Sequence, residues 1–304
     1  MIHEQVKDKI RIGISSETGT LREVIIGLAD NFHMSGEVEI VNQAMEYNYS
    51  DPALRPTAEK ALPEFEAYKT VLEQHRIKVH LPNAVDNVPD QLTPRDIGFV
   101  VGNKFFVAGM KKKSRKLEYK GIEHLFGRID GEIIYVPEEI VLEGGDVIVD
   151  ENVVYVGISQ RTDEPGLEFL KQILGKDYTI QPCYLKSLDK NEDVLHLDCA
   201  FNPIGKGHAL IYIEGFEKIP DSMKEKYQFI EVTKEEQENL GTNVFSVSPD
   251  IIIARQGRGF ENLNQKIREI TGAYVIEIQF DEAPKTGGSF RCCSLPLYRE
   301  LRGE

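Results

Sequence analysis

Two adjacent cysteines near the carboxyl end are the first candidates for a chemical role. Cys292 and Cys293 lie in GGSFRCCSLPLYR, residues 287 to 299, just after Gly287 and Gly288. Glycine lets backbone approach a ligand closely, and a thiol beside such a loop can act as a nucleophile. A cysteine pair is nevertheless more often a buried structural feature. A chemical role therefore requires other segments to supply a base and a substrate cradle.

Two segments place carboxylates at turns, where side chains can converge on a site. Asp96 ends TPRD, just before an apolar run, and Glu143 and Asp146 flank the glycine pair of LEGGD. The glycines leave room for a ligand while both carboxylates face one pocket. Each segment also has an ordinary alternative, a turn aspartate after proline or a hairpin turn.

A histidine and an aspartate share the segment HLDCAF. His196 and Asp198 are two residues apart in a run that predicts a strand, so both side chains are expected on one face. Such a pair supplies a proton carrier and an anion to the same pocket. A lone histidine in a strand is also commonly a core residue, and both interpretations remain open from the residues alone.

Together these side chains suit one kind of electrophile. The inventory contains a thiol, an imidazole and several carboxylates, without a phosphate-binding glycine loop or a second histidine at metal spacing. A guanidinium is planar, cationic and rich in donors, so carboxylates can hold its edges while a thiolate attacks its central carbon. Cysteine and histidine would then work through a covalent thiouronium. No metal and no cofactor are expected.

The elements that must position these residues form a recurring pattern. A strand is predicted over 20–27, a helix within 51–75 whose main part begins near Pro63, and a strand over 77–81. Hairpin-like pairs of apolar runs then recur at 97–109, 145–157, 197–213 and 245–255, and a fifth pairs either 274–280 or 290–298 with the N-terminal strand.

Helices lie between the hairpins. Periodicity predicts helices over 164–174 and 259–271, the second ending before Gly272. Units of hairpin and helix cannot bury their apolar faces alone, which favours closure into a ring. We therefore predict one α/β domain over 1–304.

Composition excludes several classes of function. The 304 residues carry a formal net charge of -14, and no apolar run is long enough to cross a bilayer. The sequence therefore predicts no nucleic-acid and no membrane partner, and favours a small cationic substrate. The charged N-terminus does not resemble a secretory signal, so the cytoplasm is the expected location. Neither Cys183 nor Cys199 has metal-ligand spacing with the other cysteines.

Six motifs in order resemble the guanidino-group-modifying enzymes, which include arginine deiminases, dimethylarginine hydrolases and amidinotransferases. The motifs are PRD (94–96), GMKKKSRKLEY (109–119), LEGGDVIV (142–149), VGISQRT (156–162), HLDCAF (196–201) and GGSFRCCSLPL (287–297). The resemblance covers most of the chain. It implies the pentein fold, a five-bladed α/β propeller with a central site, in agreement with the five hairpins.

The resemblance also implies roles for single residues. Cys292 matches the nucleophile, His196 the catalytic histidine and Glu143 its acidic partner, which leaves Cys293 as a neighbour. Asp96 and Asp198 match the carboxylates that grip the guanidinium. Arg161 matches an arginine that holds the substrate's α-carboxylate, and Arg115, within a basic run that is otherwise typical of a solvated face, can supply another. Asp146, Gly287 and Gly288 complete the predicted substrate-binding set.

The motifs do not all match the same branch of these enzymes. LEGGD, SQRT and SLPL favour arginine deiminase, which converts arginine and water to citrulline and ammonia, whereas PRD and RKLEY resemble the amidinotransferases equally well. Asp90 and Thr93 stand where an arginine deiminase would have asparagine and phenylalanine. The leading hypothesis is a thiol hydrolase of arginine or a related guanidino compound, possible as a homo-oligomer. The alternatives are an amidinotransferase and a catalytically silent binding propeller.

Overall fold

A computed structural model describes residues 9–30, 32 and 38–300 of the chain. Eight α-helices occur in these residues: α1 Gln43–Ser50, α2 Ala58–Gln74, α3 Pro94–Ile97, α4 Glu123–Phe126, α5 Glu164–Leu174, α6 Asp221–Lys226, α7 Lys234–Glu238 and α8 Glu261–Thr271.

Five three-stranded sheets share one pairing pattern, in which the middle strand is antiparallel to one neighbour and parallel to the other. The first joins β17 (Ser294–Glu300), β2 (Thr20–Ile26) and β3 (Lys78–His80); the second β4 (Gly98–Val101), β5 (Lys104–Val107) and β7 (Glu132–Tyr135); the third β8 (Val147–Asp150), β9 (Val153–Ile158) and β10 (Thr179–Tyr184); the fourth β11 (Phe201–Ile204), β12 (His208–Ile211) and β13 (Gln228–Glu231); the fifth β14 (Phe245–Ser248), β15 (Ile251–Arg255) and β16 (Tyr274–Ile278). A short parallel pair, β1 (Ile10–Arg11) and β6 (Ile129–Asp130), lies outside these sheets.

The predicted hairpins are confirmed, and the structure decides between the two alternatives for the fifth. The segment 290–298 supplies β17, which pairs antiparallel with β2 and so joins the two ends of the chain. The other candidate, 274–280, supplies β16, which runs parallel to β15. Of the parallel third strands, the sequence predicts the one at 77–81 and offers 274–280 as a strand with a different partner, and it does not predict β7, β10 or β13.

Helix boundaries differ from prediction at two places. Helix α2 begins at Ala58, ahead of Pro63, because the Thr57 side chain accepts a hydrogen bond from the amide of Lys60 and caps the helix. The expectation that the main helix starts near Pro63 is therefore wrong. Helix α8 begins at Glu261 rather than at the predicted 259, and it ends at Thr271 as predicted, before Gly272, whose φ of 69° is left-handed. Helix α5 has the predicted bounds.

The strand predicted through His196 and Asp198 is also wrong. His196 is extended, but Leu197–Cys199 form a 3₁₀ turn, in which the Cys199 amide donates to the His196 carbonyl at 3.1 Å. Strand β11 begins only at Phe201. The two side chains therefore do not share a strand face.

The strands are buried from end to end in several sheets. Every residue of β4, β8 and β11 is buried, as expected of strands covered on both faces. Across the part of the chain that the structure describes, no helix combines the length and apolar character needed to cross a membrane.

Candidate active site

The thiol of Cys292 lies at the bottom of a pocket, and its side chain is only 3% exposed. The preceding loop turns at Gly287, whose φ of +97° is left-handed. A Cβ on Gly288 would lie 2.5 Å from Thr93 Cγ2 and 3.0 Å from Cys292 Cβ. The second glycine therefore lets the cysteine loop pack directly against the segment that carries Asp96.

Asn243 holds this loop and contacts the thiol. Its Nδ2 donates to Cys292 Sγ at 3.1 Å, while its Oδ1 accepts from the amides of Ser289 at 3.1 Å and Cys292 at 3.0 Å. The sequence prediction missed this residue. One signal was present, because Asp96, Glu143, His196 and Asn243 each stand shortly before the first strand of a hairpin.

His196 lies between two carboxylates and is 1% exposed. Its Nε2 is 2.8 Å from Glu143 Oε2, and its Nδ1 is 3.8 Å from Asp96 Oδ1. Burial alone would lower the pKa of His196, but the carboxylates of Asp96, Glu143 and Asp146 outweigh it and raise the pKa to about 9. The imidazole is therefore protonated at neutral pH, with Nδ1 left free of the Glu143 bond.

Asp96 offers one oxygen to the pocket and uses the other internally. Oδ2 accepts from Arg115 Nη1 at 2.7 Å, whereas Oδ1 is buried without a hydrogen-bond partner. An unpaired buried acceptor is costly unless a ligand supplies the donor. Asp96 is thus anchored by Arg115 through Oδ2, while its Oδ1 lies 3.8 Å from His196 Nδ1 and makes no hydrogen bond.

Arg115 is not part of a solvated face, since its side chain is 11% exposed. Besides Asp96, it bonds Glu118 through Nε at 2.7 Å and Nη2 at 2.9 Å, and Nη2 also bonds Thr93 Oγ1 at 2.8 Å. These bonds engage every nitrogen of the guanidinium. Arg115 lines the pocket, but in this state it anchors Asp96 and Glu118 rather than presenting free donors.

Asp198 lies beneath the thiol rather than on the pocket wall. It is fully buried and is not among the residues that line the pocket. The Cys292 thiol is 3.9 Å from its Oδ2, and Arg291 Nε is 3.3 Å from the same oxygen. The 3₁₀ turn explains this position, because it directs the aspartate away from the face occupied by His196.

Asp146, predicted to face the pocket, instead supports the histidine segment from behind. It is fully buried, its Oδ1 accepts from the Leu197 amide at 2.8 Å, and its Oδ2 accepts from Ser159 Oγ at 2.7 Å. Burial raises the pKa of Asp146 to about 7. Asp146 therefore contacts the scaffold of the site and not its open space.

Arg161 lines the pocket beside Glu143. Its Nη1 is 3.5 Å from Glu143 Oε2 without a hydrogen bond, and Nη2 donates to the Val41 carbonyl at 2.6 Å. The guanidinium is 2% exposed. Arg161 Nη1 therefore has an N–H donor that makes no hydrogen bond, next to Glu143.

The lining of the pocket is rich in carboxyl groups. Four carboxyl groups and three cationic groups contribute to its wall: Glu39, Asp90, Asp96 and Glu118, against Arg115, Arg161 and the protonated His196. Apolar side chains such as Val41, Met45 and Leu195 complete it. The carboxyl groups of the lining can pair with a cationic ligand.

The resting thiol is protonated. Burial raises the pKa of Cys292 well above its usual value, and Asp198 and Asp96 add to the effect.

Two buried groups of side chains bring atoms that can bind a metal within 4.8 Å of one another: Asp96 with Glu143 and His196, and His196 with Asp198 and Cys199. The bond between Glu143 and His196 engages ligand atoms of the first group.

Comparisons with known proteins identify the family of the chain. Residues 31–299 match the family described as N,N dimethylarginine dimethylhydrolase, eukaryotic. The uncharacterized protein YkgA of Bacillus subtilis is 37% identical over 290 residues, which is 95% of each chain. The arginine deiminase of Streptococcus sanguinis is 27% identical over 262 residues, and the match covers 72% of this chain but 63% of that enzyme.

The fold is that of an amidinotransferase from the saxitoxin biosynthetic pathway of Microseira wollei, SxtG. The two structures superpose with a TM-score of 0.79 at 19% identity, over 96% of this chain and 98% of the other. The family match, which spans most of the sequence, is stronger than this fold likeness. The chain belongs to the N,N dimethylarginine dimethylhydrolase family of the pentein superfamily and is a guanidino-modifying enzyme that acts on amidino carbon–nitrogen bonds.

Proposed function

We propose that the protein is a thiol hydrolase of a guanidino compound. The observation that carries the proposal is the meeting of Cys292, His196 and the unpaired Oδ1 of Asp96 in one buried pocket rich in carboxyl groups. A guanidinium supplies the donor that Oδ1 lacks and a positive charge that offsets the carboxylates around the thiol. L-Arginine, converted to citrulline and ammonia, is the reference reaction.

The first step joins sulfur to carbon. The Cys292 thiol loses its proton to solvent, and the thiolate sulfur attacks the central guanidinium carbon, which becomes tetrahedral while Asp96 holds an edge of the substrate. His196 donates its Nδ1 proton to the departing nitrogen, and the carbon–nitrogen bond breaks. Ammonia leaves, and the rest of the substrate stays on Cys292 as a thiouronium.

The second step replaces sulfur by oxygen. His196, now neutral and held by Glu143, removes a proton from water as the water oxygen attacks the thiouronium carbon. The carbon–sulfur bond breaks, and the ureido product departs as the thiol and imidazolium are restored. An amine in place of water would give amidino transfer, which is the second candidate on the same chemistry.

Product analysis separates these reactions. We expect L-arginine to give citrulline and ammonia in amounts that do not depend on an added amine, and we expect a panel of agmatine, methylated arginines and guanidinoacetate to rank the substrates. Ornithine formed only when glycine or another amine is present would replace hydrolysis by amidino transfer. A panel without any turnover would contradict both and favour a silent binding protein.

We also infer that the five sheets are the blades of one α/β propeller formed by the whole chain. Their common pairing pattern and the union of both chain ends in the sheet of β17 and β2 support this arrangement. The proposed partner is a small cationic guanidino molecule, and the proposed location is the cytoplasm.

A further inference from the structure

Three buried arginines surround one glutamate beneath the cysteine loop. Arg95, Arg291 and Arg299 are each less than 5% exposed, as is Glu17. Arg291 Nη1 donates to Glu17 Oε2 at 2.6 Å, and Arg95 Nη1 is 3.8 Å from the same oxygen. The charges of all three arginines help to lower the pKa of Glu17 to about 2 against the effect of burial.

This cluster carries more positive than negative charge. Among the described residues, Glu17 and Asp198 are the carboxylates with the strongest electrostatic effect on the three arginines. Two negative charges therefore face three positive charges, and one positive charge lacks a permanent partner. Five buried guanidinium nitrogens are also without a hydrogen-bond partner: Arg95 Nη2, Arg291 Nε and Nη2, and Arg299 Nε and Nη2. A buried cation without a counter-ion is unfavourable, so an anion nearby would be stabilised.

Cys292, whose thiol can become an anion, lies next to this cluster. It directly follows Arg291 in the chain, and Asp198 Oδ2 lies 3.3 Å from Arg291 Nε and 3.9 Å from the thiol sulfur. The thiolate form of Cys292 raises the pKa of Arg95 and of Arg291, which places both cations within electrostatic reach of the sulfur.

We propose that Arg291 and Arg95 form a cationic platform that stabilises the thiolate of Cys292, with Glu17 offsetting part of its positive charge, an inference that rests on the proposed role of Cys292 as nucleophile. The platform opposes the carboxylates that disfavour the thiolate, and it acts through charge without touching the substrate. The other polar and titratable groups facing the sulfur are Asn243, Asp198, Asp96, Cys199 and Cys293.

The test measures how fast iodoacetamide labels Cys292 at pH 8 without substrate, followed by mass spectrometry of its peptide. Because alkylation requires the thiolate, we expect Arg291→Gln to slow labelling about tenfold, the effect of one unit in the thiol pKa. Glu17→Gln removes an anion and should accelerate labelling. Arg291→Lys keeps the charge and should label within about threefold of the wild type.

An effect of charge changes the labelling rate in opposite directions in Arg291→Gln and Glu17→Gln, whereas damage to the fold would not. Thermal unfolding of each variant checks that the fold is intact. Should Arg291→Gln not fold, Arg95→Gln removes the second cation and carries the same expectation. The proposal would be overturned if Arg291→Gln and Arg95→Gln were labelled at the wild-type rate. It would also be overturned if Arg291→Lys were labelled as slowly as Arg291→Gln. The labelling assay uses no guanidino substrate, so it reports on the thiolate even if the protein has no hydrolase activity. Failure of this inference and failure of the proposed function can therefore be told apart.

Discussion

Replacement of Cys292 by alanine is expected to reduce guanidine turnover by a factor of roughly 10⁴ or more, as with the loss of the nucleophile in other covalent enzymes. The thiol is the group at the base of the pocket that can form the covalent bond, and Asn243 Nδ2 already directs a donor at its sulfur. Steady-state formation of the ureido product measures the effect. The backbone contacts of the loop persist in the variant, so the fold should survive.

Cys293→Ser is the matched control for this substitution. Cys293 is fully buried in an apolar cluster that includes Phe245 and Phe290, and does not line the pocket. A hydroxyl there should cost about 1–2 kcal/mol of stability while leaving most of the turnover intact. Equal loss of activity from both substitutions would contradict the assignment of Cys292 as the nucleophile.

Replacement of His196 by glutamine is expected to lower kcat about 10²- to 10⁴-fold, the usual contribution of a general acid and base. The glutamine amide can still donate to Glu143, so the substitution removes the proton carrier while it preserves that bond. His80, buried with its Nε2 3.1 Å from Glu23 Oε2, offers a second histidine–glutamate pair that does not line the pocket. His80→Gln should therefore retain the wild-type kcat, and an equal loss in both variants would show a structural effect.

The same variant reports the charge of His196. Because the folded-state pKa is raised from 6.5 to about 9, the imidazolium adds stability that is complete below pH 6.5 and is lost as the pH rises through 9. The difference in unfolding free energy between wild type and His196→Gln should shrink over that range. A difference that does not change between pH 6.5 and pH 9 would mean that folding does not raise the pKa of His196.

Local sequence signals were enough to predict most of the hairpins and helix α5. Adjacent strands joined by turn residues, such as β4 and β5, pair with residues only a few positions away, and the pattern is visible in a short window. The parallel strands β7, β10, β13 and β16 pair across intervening helices or loops, and no local periodicity distinguishes them from other short apolar runs. The capping of α2 by Thr57 also outweighs the signal of Pro63.

The identities of the site residues were easier to predict than the orientations of their side chains. Motifs pointed to Cys292, His196, Glu143 and Asp96, which the structure brings together, but the 3₁₀ turn after His196 moves Asp198 beneath the thiol. Asp146 likewise faces the scaffold because the Leu197 amide and Ser159 hold both its oxygens.

Two further features of the site depend on tertiary contacts. Asn243 has no motif of its own, and it contacts the thiol only because β14 brings the end of a distant loop to the cysteine. Arg115 belongs to a basic run in the sequence, but the buried carboxylates of Asp96 and Glu118 draw it into the pocket wall. Both contacts join segments whose pairing a single sequence does not reveal.

The most direct test of the central claim is the mass of the Cys292 peptide after the reaction with arginine is quenched in acid. Hydrolysis through Cys292 predicts a peptide heavier by one arginine less ammonia, with the adduct on Cys292 and absent in Cys292→Ala. Turnover of arginine without an adduct on Cys292, or with the adduct on Cys293, would contradict covalent catalysis by this thiol.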